Sequence, residues 1–363
     1  MDDTLVARLG PLRERIDAID EQILALVNER AGIAQQVGQI KESLQMDATV
    51  LKPGREAKIY RRLQALNAGP FPPEAIEAVW SEIISTCRGL ERVLRVAFLG
   101  PQASFSEQAA QAHFGHMIAA VHCDSFDEVF RSVLAGQADV GVVPVENSTE
   151  GAINRTLDLL LNAPLRVLGE RSIAIHHELL ARSEDMAGVT RIMGHPQALA
   201  QCRNWLGRHW PGIPLEAAAS NAEAARLASE DTTVAAIAGR SAAKVWGLSV
   251  VASGIQDDPQ NRTRFLMVSH EDAEPSGDDK TSLILAVPNR AGAVYEMLAP
   301  LARNGVSMTR LESRPARTGQ WEYYFYVDVL GHREEPAVAR ALSELRGQLA
   351  FLKVLGSYPR QQD

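Results

Sequence analysis

The chain has 363 residues, 46% of them hydrophobic, enough for two to four domains that each bury a core. Its formal net charge of −8 argues against nucleic acid as a main partner. No apolar run approaches the ~18–20 residues of a membrane span, and Met1-Asp2-Asp3 lacks the basic start of a signal peptide, so a cytoplasmic protein with no membrane partner is expected. Cys87, Cys123 and Cys202 lie far apart with no CxxC pair and read as free thiols. There is no GxxxxGK[ST], no GxGxxG after a strand and no HExxH, and His176-His177 has the wrong spacing for zinc. Phosphoryl transfer, nicotinamide chemistry and metal hydrolysis all lose support, and no cofactor or metal is expected.

Residues 5 to about 92 read as helix only. Leu12, Ile16, Ile19, Ile23, Leu26, Ile33, Val37 and Ile40 recur at steps of four and three, a heptad seam. Arg30 interrupts it, and a cation in an apolar seam needs an anion to meet it, either a substrate group or a partner helix's acid. A helix from residue 5 to about Lys41 would be ~60 Å long, too long for a compact monomer, so dimerisation along it is expected. Arg30 and Lys41 lie about 20° apart round the axis and share a face. Arg13 lies roughly 25 Å from Arg30 along the same helix and would join that face only from a second chain.

The runs Leu12-Arg13-Glu14-Arg15-Ile16-Asp17, Asn28-Glu29-Arg30, Val37-Gly38-Gln39-Ile40-Lys41 and Arg55-Glu56 resemble the all-helical chorismate mutases. The resemblance implies an intertwined dimer in which Arg13 of the partner, Arg30, Lys41, Arg55 and Glu56 hold chorismate. A third helix, about 73–92, places Cys87 at a common serine position of that family and Glu91 at a common glutamine position. A two-residue shift would use Ser85 instead. A carboxylate at Glu91 would repel the charge developing on the ether oxygen, whereas a carboxylic acid would donate to it, so a preference for mildly acidic pH is expected.

Residues 93 to about 270 alternate strand-like and helical runs, an α/β pattern. A strand at 94–99 enters Gly100-Pro101-Gln102-Ala103-Ser104-Phe105-Ser106 and a helix, a natural anion site. A second strand ends in Glu146-Asn147-Ser148-Thr149-Glu150-Gly151, where open α/β folds bind ligands. A second lobe is expected from about His176. GPxxxF, VPVENSTEG, HPQALAQC and NRTRF together resemble prephenate dehydratase. That family implies two α/β lobes like bacterial ligand-binding proteins, with catalytic weight on Thr263, Asn147 and Gln201. Arg264 is expected to hold the side-chain carboxylate of prephenate. His195 is weighed as catalytic or structural, and Gly194 stands where the family often has serine.

The acidic run Glu271–Asp279, with Pro and Gly, reads as a mobile linker. Residues 280–363 follow a β-α-β-β-α-β order, the ferredoxin-like α+β arrangement. Asn289-Arg290-Ala291-Gly292-Ala293-Val294 and Glu312-Ser313-Arg314-Pro315 resemble the motifs of regulatory ACT domains attached to prephenate dehydratases. That resemblance implies pairing of two such domains and phenylalanine bound by Gly292, Ala293, Val294, Glu312, Ser313, Arg314 and Pro315. The whole is expected to be multidomain: an all-α mutase domain over 1–92, a two-lobed α/β dehydratase over 93–272 and an ACT domain over 280–363. It would convert chorismate to prephenate and then to phenylpyruvate, under feedback by phenylalanine, as a homodimer or higher homo-oligomer. A non-catalytic amino-acid sensor is the second reading, since two-lobed and ACT folds both serve as binding modules.

Overall fold

The computed structural model describes residues 3–44, 51–287, 290–315 and 323–361, with side chains from residue 8. Asn289 of the N-R-A-G-A-V run lies outside the described residues.

Three helices form the N-terminal unit: α1 (Asp3–Ser43), α2 (Pro53–Leu66) and α3 (Pro73–Glu91). Proline at the first position of α2 and α3 presets φ where no N–H is needed. α1 has 41 residues. Among the described residues the heptad seam is largely uncovered: Leu12 is 62% exposed and Leu26 64%.

The central unit is built on two sheets. The first carries strands in the order 118–123, 94–99, 140–147, 262–269 and 166–174, with Gly151–Ala152 paired to 140–147. The second runs 249–252, 178–181, 234–238, 191–194 and 215–217. The chain crosses between the lobes twice, over 175–177 and 253–261. These crossings bond each other: Ile175 N donates to Asn261 O (2.8 Å) and Ile255 N to His177 O (2.9 Å). Strand 262–269 returns antiparallel to 140–147 and pairs Thr263 with Asn147 and Arg264 with Glu146.

The C-terminal unit has strands Asp279–Val287, Met308–Pro315, Tyr323–Leu330 and Phe351–Pro359 and helices Ala293–Arg303 and Pro336–Gln348. The sheet order is 308–315, 323–330, 279–287, 351–359, as a ferredoxin-like fold requires. Period-two alternation divides its side chains. Leu283, Leu285, Phe325 and Val327 pack under the two helices. Ile284, Tyr326, Leu355 and Tyr358 point the other way and join the core of the first lobe. The two units therefore share one apolar core.

That docking depends on Gly356, where a Cβ would sit 2.0 Å from the Val167 carbonyl oxygen. Gly356→Ala should cost about 1–3 kcal/mol as an overpacked contact and loosen the C-terminal unit. Thermal unfolding and proteolysis of the full chain check this; a wild-type melting temperature and cleavage pattern would refute the close approach.

The expected mobile linker is packed instead. Ala273 and Ser276 are buried, Asp279 Oδ2 accepts from Ser276 N and Gly277 N (2.9 Å each), and Arg61 of α2 donates to Ser276 O. Lys52 pairs with Glu274 (2.8 Å) and Arg333 with Asp272 (2.5 Å). Polar composition reported its solubility, and the neighbouring cations supplied the contacts.

Candidate active sites

On the helical unit, the three helices form two ion pairs that use three of the expected residues, Lys41, Glu56 and Glu91. Lys41 Nζ meets Glu91 Oε2 at 3.1 Å. Gly38, one turn before Lys41, lets the Glu91 side chain lie against α1. Glu56 on α2 pairs with Arg88 of α3 at 3.0 Å. Burial pushes the Glu56 carboxyl above its usual range, against the pull of Arg88 and Arg30. Cys87 is buried one turn before Glu91, on the same side of α3. Ser85 is turned elsewhere: its hydroxyl accepts from Met117 N (3.2 Å) and its Cβ abuts Gly115 of the first lobe. Cys87, not Ser85, shares the face of α3 that carries Glu91. Arg55, about 100° round the helix from Glu56, is exposed and outside the group. Arg13 is exposed far along α1. Arg88 escaped the sequence reading. It is buried, and its second nitrogen donates to Phe114 O (2.6 Å), so the central unit helps to hold Glu56. An arginine one turn after Ile84 on the apolar face of α3 was the available signal.

Between the two lobes lies a cavity of about 580 Å³ lined by Asn147, Gln201 and Thr263 together with His177, His195, Phe105 and Phe265 among others. Its polar network has one orientation. Asn147 Oδ1 accepts from Thr149 N (3.1 Å) and Glu150 N (3.2 Å), which can only donate. Asn147 Nδ2 must then donate, to Asn261 Oδ1 and to Thr263 Oγ1, each at 2.9 Å. Asn261 Nδ2 donates to Gln201 Oε1 (2.9 Å), and His177 Nε2 donates to the same oxygen (3.0 Å). Gln201 Nε2 is left to bond Thr149 Oγ1 (3.1 Å) and Glu150 Oε1 (3.2 Å). Gln201 belongs to the second lobe, so the network bridges the cleft. Desolvation by burial lowers the His177 pKa against the opposing bond to Gln201, so the ring is neutral with its proton on Nε2. The Thr263 hydroxyl accepts from Asn147 and keeps its own proton for the cleft.

Among the described residues, no lysine or arginine lines this cavity. Two helix N-termini face it instead. Helix Phe105–Phe114, capped by Ser104, and helix Asn221–Glu230, capped by Ser220, begin on opposite walls. Each cap takes one N–H and leaves others of the first turn for an anion.

Several expected roles need correction. Arg264 does not reach the cleft. It follows Thr263 in the same strand, so its side chain leaves the opposite face, where it meets Glu170 (2.8 Å) and Asp328 (2.7 Å). His195 Nδ1 accepts from Gln197 N (3.3 Å) and caps its helix, the structural alternative. A Cβ at Gly194 would lie 3.3 Å from Ile237 and 3.6 Å from Leu199, and Gly194 is not among the residues that line the cavity. His177 and Asn261 are the residues the sequence reading undervalued. His177 was weighed only for zinc, and Asn261 was seen only as part of N-R-T-R-F.

In the C-terminal unit, Gly292 adopts φ +82° ahead of helix Ala293–Arg303, a conformation that favours glycine. Ala293 is buried and Val294 exposed. Strand 308–315 is an edge, with no neighbour beyond it among the described residues. Glu312 pairs with Tyr326 and Ser313 with Phe325. Ser313 thus shares the side of the helices. Arg314, expected in the effector site, is turned into the central unit. It pairs with Asp158 (2.9 Å) and donates to Asn154 O. Pro315 ends the strand, exposed.

The chain matches three family models: Chorismate mutase type II over residues 12–92, Prephenate dehydratase over 96–273 and ACT domain over 281–347. A bifunctional chorismate mutase/prephenate dehydratase of Neisseria gonorrhoeae is 47% identical over 362 residues, covering 99% of each chain. The chain belongs to the bifunctional chorismate mutase/prephenate dehydratase family. It is both a chorismate mutase and a prephenate dehydratase, an enzyme of phenylalanine biosynthesis. A prephenate dehydratase from Arthrobacter aurescens, solved with L-Phe, aligns at TM-score 0.67 and 35% identity over 74% of this chain and 90% of that one. A protein described as a quorum-quenching acylase aligns at TM-score 0.67 and 32% identity over 74% of this chain and 98% of that one. A shared scaffold does not fix an activity, so the assignment rests on the full-length relatives.

Proposed function

We propose that residues 1–92 rearrange chorismate to prephenate, residues 93–272 convert prephenate to phenylpyruvate, and residues 280–363 bind phenylalanine as a feedback inhibitor, in a cytoplasmic homodimer or higher homo-oligomer. For the mutase, Arg30, Lys41, Glu56, Cys87 and Glu91 of one chain and Arg13 of another surround the substrate. Arginines fix its two carboxylates and hold it compact, which removes an entropic barrier. Lys41 and Glu91 flank the ether oxygen. Chorismate competes with Glu91 for Lys41 (3.1 Å), so Glu91→Gln should change mutase kcat/KM and leave dehydratase turnover at the wild-type level; an unchanged mutase kcat/KM would remove Glu91 from this role.

For the dehydratase, the carbon–carbon bond to the ring carboxylate breaks and releases carbon dioxide. Its electron pair enters the ring, and the ring hydroxyl leaves with a proton as water. Aromatisation drives the step. Thr263 supplies the hydrogen bond to the departing hydroxyl, and Asn147 holds Thr263 by its other side. A lone threonine is a weak acid, so it positions and donates rather than fully protonating. First-turn N–H groups of the helices at Phe105 and Asn221 receive the carboxylates. The observation that carries this reading is the Thr263 hydroxyl, fixed from behind by Asn147 and free to donate into the cleft.

Phenylalanine would meet Gly292, Ala293 and Val294 of one domain and the edge strand with Glu312 and Ser313 of another. The L-Phe in the Arthrobacter aurescens relative supports an effector of that kind. The test is to supply chorismate alone, without cofactor, and follow chorismate, prephenate and phenylpyruvate with and without phenylalanine. Phenylpyruvate that forms and then falls with phenylalanine is the expected result. Prephenate that accumulates would defeat the dehydratase assignment, and untouched chorismate would favour a binding protein.

A further inference from the structure

The residue pair that serves the cleft has a second pair behind it. Thr263 and Asn147 are partners in the sheet and face the cavity; their neighbours Arg264 and Glu146 are also partners and face the ACT domain. There they enter a buried charge cluster. Arg264 bonds Glu170 (2.8 Å) of the dehydratase, and Asp328 (2.7 Å) and the Tyr358 hydroxyl (3.1 Å) of the ACT domain. Arg310 of the ACT edge strand bonds Glu146 (2.8 Å), and Lys280 bonds Glu170 (2.7 Å). Ser282 ties Asp328 to Tyr358 at 2.6 Å each.

Three carboxylates thus face three cations, and each domain contributes both signs. The Glu170, Asp328 and Arg310 side chains are 4%, 6% and 11% exposed, so opening their pairs leaves an uncompensated charge, while Glu146, 39% exposed, keeps water on one side. The cluster's outer end is Arg310, two residues before Glu312 on the strand that also anchors Arg314 to Asp158. Its inner end is the backbone of Thr263 and Asn147.

We propose that this buried charge cluster couples the ACT edge strand to the dehydratase site: Arg264 and Glu146 are positioning residues for Thr263 and Asn147, and Arg310 and Asp328 carry the state of the edge strand to them. The identity of the effector rests on the feedback reading above. When the strand shifts on binding, Arg310 draws Glu146 and Asp328 draws Arg264. The Asn147–Thr263 hydrogen bond is what moves.

The test uses the full chain. Asp328→Asn should lower dehydratase kcat about tenfold with the prephenate KM held within about twofold, while mutase turnover stays at the wild-type level. Arg310→Gln should bind labelled phenylalanine in equilibrium dialysis as wild type does, yet need about tenfold more of it for half inhibition. A merely structural role would not separate binding from inhibition. If Asp328→Asn loses mutase activity too, the milder Ser282→Ala takes its place, with the same split expected. Unchanged dehydratase kcat in both, or wild-type inhibition of Arg310→Gln at equal occupancy, would overturn the coupling. If phenylalanine neither binds nor inhibits the wild type, the feedback reading fails, and the kcat-against-KM split of Asp328→Asn alone decides the coupling.

Discussion

Thr263→Ala should lower dehydratase kcat by about 10²–10³-fold and leave the mutase of the same chain unchanged. The loss should appear in kcat more than in KM, because the departing hydroxyl needs its donor most in the transition state. Asn147 makes the case specific. Its amide nitrogen points at Thr263 Oγ1 (2.9 Å) because its oxygen is held by the backbone N–H groups of Thr149 and Glu150. Thr263→Ser keeps the hydroxyl and should retain most of the activity. Thr263→Val keeps the shape and should behave as Thr263→Ala does. Single-turnover assays on prephenate, with chorismate consumption as internal control, check this. Normal turnover by Thr263→Val would show that packing at this position, not the hydroxyl, is what the cleft needs.

The sequence carried the architecture because architecture is written in periodicity. Steps of four and three marked α1, and strand–helix alternation marked the central unit. The β-α-β-β-α-β order named the C-terminal fold. The strand bearing Thr263 also held a lesson that was available and not drawn. Side chains alternate along a strand, so a threonine in the cleft places the following arginine behind the sheet. What no spacing rule could supply was the company Arg264 keeps, since Glu170 and Asp328 come from distant segments. The same holds for Arg314, which resembles an effector ligand in its motif but lies against Asp158. His177 and Arg88 were missed for another reason. Each works by holding a second side chain, Gln201 or Glu56, and a supporting role leaves no local pattern. The linker misled through composition: acidic and proline-containing, it still met Arg61, Lys52 and Arg333.

Arg13→Ala and Arg30→Ala chains should each lose mutase activity by about 10²–10³-fold, the cost of removing one partner from a buried carboxylate–guanidinium pair. Yet a heterodimer of the two should regain about half of wild-type activity. The argument starts from α1, one unbroken helix from Asp3 to Ser43. Arg13 and Arg30 stand roughly 25 Å apart on it and about 100° round, so no side-chain movement brings them to one substrate in one chain. The uncovered seam says what lies alongside. Ile16, Ile23, Leu26 and Ile40 are each more than half exposed. Burying such side chains is worth about 1.5–3 kcal/mol apiece, which favours two copies of α1 packing seam to seam. If they run antiparallel, the partner's Arg13 arrives beside Arg30 and Lys41. In the mixed dimer one site then has both arginines and the other has neither. Two affinity tags isolate that heterodimer, and its chorismate turnover decides the geometry. Activity as low as in either homodimer would place Arg13 and Arg30 in the same chain's site, against the straight helix, and would remove the shared-site dimer.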